Sequence, residues 1–180
     1  MSALESYRVD IRSILEELGA DLALDAQLEL GRIDVGDESF TPLGPAHLDA
    51  HLTSAGAGIV LSGSLSVRVQ AVCSRCLREF PLDLAVELEG FYIETGQETE
   101  LPEGQEFAYV LPEGSVDIAD ALVAALALEL PFAPLHDENC PGICSRCGKD
   151  LVEGACSCGP DLSGSPFAGL GDMFRADAEE

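Results

Sequence analysis

The stretch IVLSGSLSVRVQAVCSRCLREFPLDLAVEL, residues 59–88, reads as two β-strand patterns joined by a metal-ligand spacing. Ile59, Leu61, Leu65, Val67, Val69 and Ala71 recur at every second position, with Gly63 keeping the phase. After Cys73-Ser74-Arg75-Cys76 the alternation resumes at Phe80, Leu82, Leu84, Val86 and Leu88. Successive side chains of a strand point to opposite faces, so a period of two marks a strand with one buried and one wet face. Two such runs around a short break predict an antiparallel hairpin whose turn is the C-x2-C segment. Such a turn carries two thiolates at the spacing of a zinc knuckle. A thiol oxidoreductase would place C-x-x-C between a strand and a helix N-terminus, and here it lies between two strands, so redox catalysis is the least favoured reading.

The remaining cysteines lie in HDENCPGICSRCGKDLVEGACSC, residues 136–158, which holds five of the seven. Cys144 and Cys147 form a second C-x2-C, followed by Gly148; Cys156 comes nine residues after Cys147 and is followed by Cys158. These four sulfurs can close a tetrahedral shell around one zinc. His136 and Cys140 are then left to join Cys73 and Cys76. Seven cysteines and one histidine thus make two four-ligand sites. Zinc suits thiolate and imidazole ligands, and four protein ligands leave no position for substrate, so two structural Zn(2+) ions are expected. A rival arrangement gives Cys140 to the C-terminal knuckle and leaves Cys158 free. The shared set demands that the hairpin turn lie beside a segment 60 residues away (136 − 76).

Elsewhere, residues 7–11 alternate weakly, and Ser13 is placed as the cap of a short helix, SILEEL, ended by Gly19. Leu22, Leu24, Ala26, Leu28 and Leu30 mark a half-buried strand, and DESFTPLGP, residues 37–45, reads as a loop. Ala46, Leu48, Ala50 and Leu52 form the next strand. His47, Asp49 and His51 on its other face fit a solvated surface better than a metal site, because no fourth ligand lies near. Residues 96–106 are acidic and lack a core pattern, so a mobile loop is expected. In VDIADALVAALALELP, Ile118, Leu122, Leu126 and Leu130 repeat every four residues, with Ala121, Ala125 and Leu128 widening the stripe. This helix ends at Pro131 and should lie against the sheet. In the tail, Phe167, Leu170 and Phe174 read either as part of a frayed terminus or as a docking segment. The fold class is α+β: an antiparallel β-sheet or open barrel closed by one main helix, with a C-terminal zinc-knuckle segment. The expected division is a β-rich domain over residues 1–135 with its packing helix near 117–130, a zinc-binding segment over 136–162 and a tail over 163–180.

Charge narrows the function classes. The chain carries 33 acidic against nine basic residues, for a net charge of −24, and residues 79–145 hold fifteen acidic residues and no Lys or Arg. With seven thiolates and two zinc ions the charge becomes −27 (−24 − 7 + 4). Phosphate binding draws its affinity from Lys and Arg, so direct RNA binding is disfavoured and would need a local patch. Arg68 stands near the first cysteine pair, and Arg75, Arg78, Arg146 and Lys149 stand beside the two pairs as candidates for such a patch. The competing reading is that they offset thiolate charge. No paired catalytic carboxylates, phosphate loop or nucleophile with a base is found, so an enzyme is not expected. The longest apolar run, residues 121–128, has eight residues, against about 20 needed to span a bilayer. The first ten residues hold no apolar signal core, and a cytoplasmic protein without membrane contact is expected.

Taken together, VQAVCSRCL, the acidic loop, VDIADALVAALALELPFAPLHDENCPGICSRCGKDL and the closing SPFAGL resemble the YceD family, bacterial proteins associated with accumulation of large-subunit ribosomal RNA. The resemblance spans about residues 58–171 in the same order. After Cys158 the chain departs from it, reading GPDLSGSPF where many members resemble D-P-R and a hydrophobic stripe. The resemblance implies a small β-rich protein of cytoplasm or plastid, acting in ribosome biogenesis without catalysis. Joined to the charge, it points to an assembly factor whose acidic surface engages a basic ribosomal protein or a pre-ribosomal particle. The face expected to do so is residues 79–113, with the tail residues as an apolar anchor. The alternative is a zinc-ribbon nucleic-acid binder using the four cations beside the cysteines.

Overall fold

A long antiparallel hairpin is the spine of the computed structural model, which describes residue 4 and residues 6–98 and 106–159. In chain order the strands are β1 (Arg8–Asp10), β2 (Asp21–Leu28), β3 (Ile33–Val35), β4 (Glu38–Pro42), β5 (Ala46–Ser54), β6 (Ile59–Val72), β7 (Glu79–Ile93), β8 (Ala108–Tyr109) and β9 (Ser115–Asp117). The one α-helix among the described residues is α1 (Ala119–Glu129). Strands β6 and β7 pair over their whole length, from Ile59 opposite Tyr92 to Val72 opposite Glu79, so the C-x2-C segment is the turn between them. On its other edge β6 pairs first with β5, which pairs in turn with β2, and then, where β5 has ended, with β4.

Period-two burial runs through this sheet. Ala46, Leu48, Ala50 and Leu52 of β5 and Leu61, Leu65, Val69 and Ala71 of β6 are at most 1% exposed, while the residues of opposite phase, His47, Asp49 and His51 of β5 and Ser62, Ser64, Ser66 and Arg68 of β6, face solvent. Gly63 falls in the core-facing phase because β5 comes too close for a side chain: a Cβ there would lie 2.4 Å from Ala50 Cα. The helix covers the apolar face near β7, burying Ala119, Leu122 and Leu126. Asp117 ties its start to the N-terminal strand, accepting from the N–H groups of Ala119 at 3.1 Å and Tyr7 at 2.9 Å and from the Ser6 hydroxyl at 2.6 Å.

One alternative is decided and three expectations need correction. Closure into a barrel requires the outer strands to bond to each other, and among the described residues β2 pairs only with β5 and β8 only with β7, so the sheet stays open. The segment after Ser13 is a series of turns, not a helix. Asp10 accepts from the Arg12 N–H at 3.1 Å and Ile11 accepts from Ile14 N–H at 3.0 Å, tight local bonds that bury Ile11 and Ile14 and cost less than nucleating so short a helix. The loop read at residues 37–45 contains β4, whose Phe40 is 0% exposed and which forms a hairpin with β3 around Gly36 at φ +60°. Leu128 does not widen the buried stripe; it is 88% exposed. Most of the acidic loop and the tail with Phe167, Leu170 and Phe174 lie outside the described residues. No helix among the described residues is long and apolar enough to cross a membrane.

Candidate metal centres

The β6–β7 turn and the segment after α1 meet at one end of the sheet. Ser74 N–H donates to the Pro134 carbonyl at 2.9 Å, and its hydroxyl donates to the same oxygen at 3.2 Å. This contact brings His136 and Cys140 to Cys73 and Cys76. The Sγ atoms of Cys73 and Cys140 are 3.8 Å apart, and Cys76 Sγ is 3.4 Å from His136 Nδ1. All four ligand atoms lie within 4.8 Å of one another, the span of a tetrahedral shell. The three cysteines are at most 7% exposed, with Phe80 and Leu135 packed against them and the Phe80 ring meeting His136 edge-on at 6.3 Å.

Cys144, Cys147, Cys156 and Cys158 form a second group whose sulfurs also lie within 4.8 Å of one another. Cys140 therefore sits with the inner set and Cys158 with the outer, against the rival arrangement. The outer set is wetter: Cys147 is exposed and the other three are half-buried.

Both groups have the chemistry of metal-ready thiols. Burial raises the Cys73 thiol, but the His136 side chain and the backbone N–H groups of His136, Cys76 and Arg75 bond to its sulfur and bring it down to about 5. In the outer set the N–H groups of Cys147 and Arg146 hold the Cys144 thiol at about 6. Cys158, sharing its hydrogen bonds with Cys147 and Cys144, is pushed up to about 12, and burial raises Cys140. Each set thus pairs a sulfur drawn toward the thiolate, Cys73 or Cys144, with one held as the thiol, Cys140 or Cys158, which a divalent cation would have to deprotonate.

The two turns are copies of each other. Cys73-Ser-Arg-Cys76 and Cys144-Ser-Arg-Cys147 are each followed by one residue and a cation, Arg78 or Lys149. Leu77 N–H donates to Cys73 O at 2.8 Å as Gly148 N–H donates to Cys144 O at 2.9 Å. Cys73 N–H donates to Arg78 O as Cys144 N–H donates to Lys149 O, both at 2.8 Å. Both intervening residues are left-handed, at φ +61° for Leu77 and +69° for Gly148. Leucine in this conformation costs about 1–2 kcal/mol, and glycine's larger unfolded-state entropy returns part of that. Leu77→Gly is therefore expected to stabilise the protein by up to about 1 kcal/mol, roughly 2–4 °C in Tm. A fall in Tm would mean that the exposed Leu77 side chain makes a contact worth more than the strain.

The cations beside the cysteines are occupied. Arg75 Nη1 donates to the carbonyls of Glu138 and Cys140 at 3.1 and 3.0 Å, and Arg78 grips Asp150 at 3.0 and 2.7 Å. Lys149 Nζ donates to Ala155 O at 2.9 Å and Arg146 to Gly159 O at 3.4 Å. Sequence reasoning missed Asp150 and Gly142 as parts of this architecture, although the repeated Cys-Ser-Arg-Cys was a visible sign that the second turn copies the first. On the sheet, His51 bonds Asp21 at 2.8 Å and His47 bonds Gln27 at 3.1 Å, both on the solvated face.

Comparison with known proteins adds a family. The model for "Large ribosomal RNA subunit accumulation protein YceD" matches residues 61–174, well over half of the chain. An uncharacterized protein of Mycobacterium leprae is 26% identical over 144 residues, which cover 79% of this chain and 66% of that one. Uncharacterized proteins of Mycobacterium bovis and Mycobacterium tuberculosis are each 30% identical over 106 residues, 58% of this chain and 51% of theirs. The chain thus spans between about half and two thirds of the length of these curated relatives. No solved structure matches.

Proposed function

Because the chain belongs to the YceD family, we propose that it is a non-catalytic factor in large-subunit ribosomal RNA accumulation, stapled by two zinc ions and acting through an acidic surface that holds a basic ribosomal protein. Cys73, Cys76, His136 and Cys140 hold one ion and Cys144, Cys147, Cys156 and Cys158 the other. With four protein donors each, the ions are structural, and the protein acts by binding in the cytoplasm.

The observation that carries the reading is the solvated face of the sheet. Registers across four strands align Asp25, Asp49, Ser64 and Glu87 in one row, and Ala23, His51, Ser62 and Glu89 in the next. All eight are exposed. Asp21 and Asp83 extend the same face, with Arg68 paired to Asp83 at 2.8 Å. In the first row the small Ser64 lies between Asp49 and Glu87, and in the next Ser62 lies beside Glu89, so the carboxylates stand above short side chains where a basic segment could reach them. The eight described cations each already face a carboxylate or a backbone carbonyl. Exposed ion pairs are individually weak, so the weight falls on the acidic excess around them: phosphate would have to displace these partners against a repelling field.

Capture from cytosol on the immobilised, zinc-loaded protein tests this. Basic ribosomal proteins are expected to bind at low ionic strength and to be released as salt rises, because the attraction is long-ranged and screened. Tighter binding of protein-free ribosomal RNA than of any protein would replace this reading with the zinc-ribbon nucleic-acid binder.

A further inference from the structure

The two cysteine clusters are joined through more than the chain. Only Pro141, Gly142 and Ile143 separate Cys140 of the inner set from Cys144 of the outer. Ile143 N–H donates to the carbonyl of Arg75, inside the first turn, at 3.1 Å, and Leu151 N–H donates to Gly142 O at 2.9 Å. Gly142 is left-handed at φ +73°, and a Cβ there would stand 2.9 Å from the Arg75 carbonyl oxygen. Farther out, Arg78 of the first turn holds one oxygen of Asp150 at 2.7 Å, while the other accepts from Val152 N–H at 2.8 Å and starts the short 3₁₀ turn Leu151–Glu153. The outer loop is thus built on groups that the inner turn fixes.

The dependence is one-sided in its supports. The inner set is seated on the β6–β7 hairpin and buried, whereas none of residues 143–159 is buried. A segment without a core must obtain its folding free energy from its metal and its anchors. If the inner turn is loose, the outer ligands must order themselves without the Arg75 carbonyl or the Arg78 guanidinium. Reciprocity makes the coupling factor the same in both directions, so the order follows from the inner set being better pre-formed.

We propose that zinc fills the protein in a fixed order, the buried Cys73, Cys76, His136 and Cys140 centre first and the Cys144, Cys147, Cys156 and Cys158 centre second, the outer ion being the exchangeable one. This rests on reading both clusters as zinc centres. The consequence is a protein whose sheet stays folded while its outer loop responds to zinc supply.

Cobalt(II) titration of the reduced full chain tests the order, because three-sulfur and four-sulfur tetrahedra absorb differently. Cys147→Ser, which removes one exposed outer ligand, supplies the inner-centre spectrum. The first equivalent is expected to give that spectrum and the second the four-sulfur bands, and a competing chelator should remove the second alone. Arg78→Ala keeps all eight ligands and should weaken the second equivalent by roughly tenfold, within the usual range of coupling between sites. Gly142→Ala should act in the same direction. Outer-first or simultaneous filling, or a second equivalent unchanged in both variants, overturns the proposal while leaving two metal centres. Failure of the wild-type chain to bind cobalt overturns the zinc reading itself and the proposal with it.

Discussion

Cys73→Ser is expected to cut the zinc content from two ions to one and to lower Tm by roughly 10 °C. Cys73 is 0% exposed at the head of the β6–β7 turn, and its sulfur meets Cys140, 67 residues away in sequence. A metal here closes a long loop between the hairpin and the chain beyond α1, and so limits the unfolded ensemble as a crosslink does. A ligand present at a thousand times its dissociation constant adds about 4 kcal/mol, and for a chain of this size each kcal/mol moves Tm by roughly 2–4 °C. Cys147→Ser is the control. It also removes a zinc ligand, but from a loop with no buried residue, so Tm of the sheet should move by less than about 2 °C. Full zinc retention in Cys73→Ser, or equal melting losses in the two variants, would show that the inner cluster does not staple the hairpin to the helix end.

The contrast between the two cysteine sets explains what the sequence could and could not reveal. The spine was legible because its burial is periodic: alternation at Ile59, Leu61, Leu65 and Val67 leaves one register that buries every apolar residue. The helix was legible through Ile118, Leu122 and Leu126, yet Leu128 was placed on the wrong side, since the run of residues 121–128 is apolar throughout and gives little periodic signal of which leucine faces water. Strand β4 was hidden because Gly36, Pro42, Gly44 and Pro45 mark turns, and their turn signals outweighed the buried Phe40 between them. Ligand types were readable from spacing, since C-x2-C is a local geometry. What ties one set to the other was not readable. The Arg78–Asp150 pair and the Ile143–Arg75 bond join residues about 70 positions apart, and no local pattern specifies them. Closure of the sheet was likewise open, because alternation fixes the faces of a strand but not its neighbours.

Replacing Asp25, Asp49, Glu87 and Glu89 together by Asn and Gln is expected to weaken capture of basic ribosomal proteins by roughly tenfold or more at low salt. The loss should shrink as ionic strength rises, because screening removes from the wild type what the substitutions remove from the variant. The effect on the fold should have the opposite sign. Asp25 stands directly opposite Asp49 in the β2–β5 ladder, and like charges facing each other across a strand pair are destabilising. All four side chains lie on the face away from Leu48, Ala50, Val86 and Leu88, so their neutralisation disturbs no packing and should leave Tm unchanged or slightly raised. A surface kept acidic for the sake of the fold would melt earlier when neutralised; one kept acidic for a partner melts no earlier and binds less. The acidic loop offers the competing location, and Glu98, Glu100, Glu103 and Glu106 changed together to Gln serve as the parallel variant. Should that variant lose capture while the sheet variant retains it, the loop is the binding face. Should both retain capture at low salt, the acidic-surface reading fails.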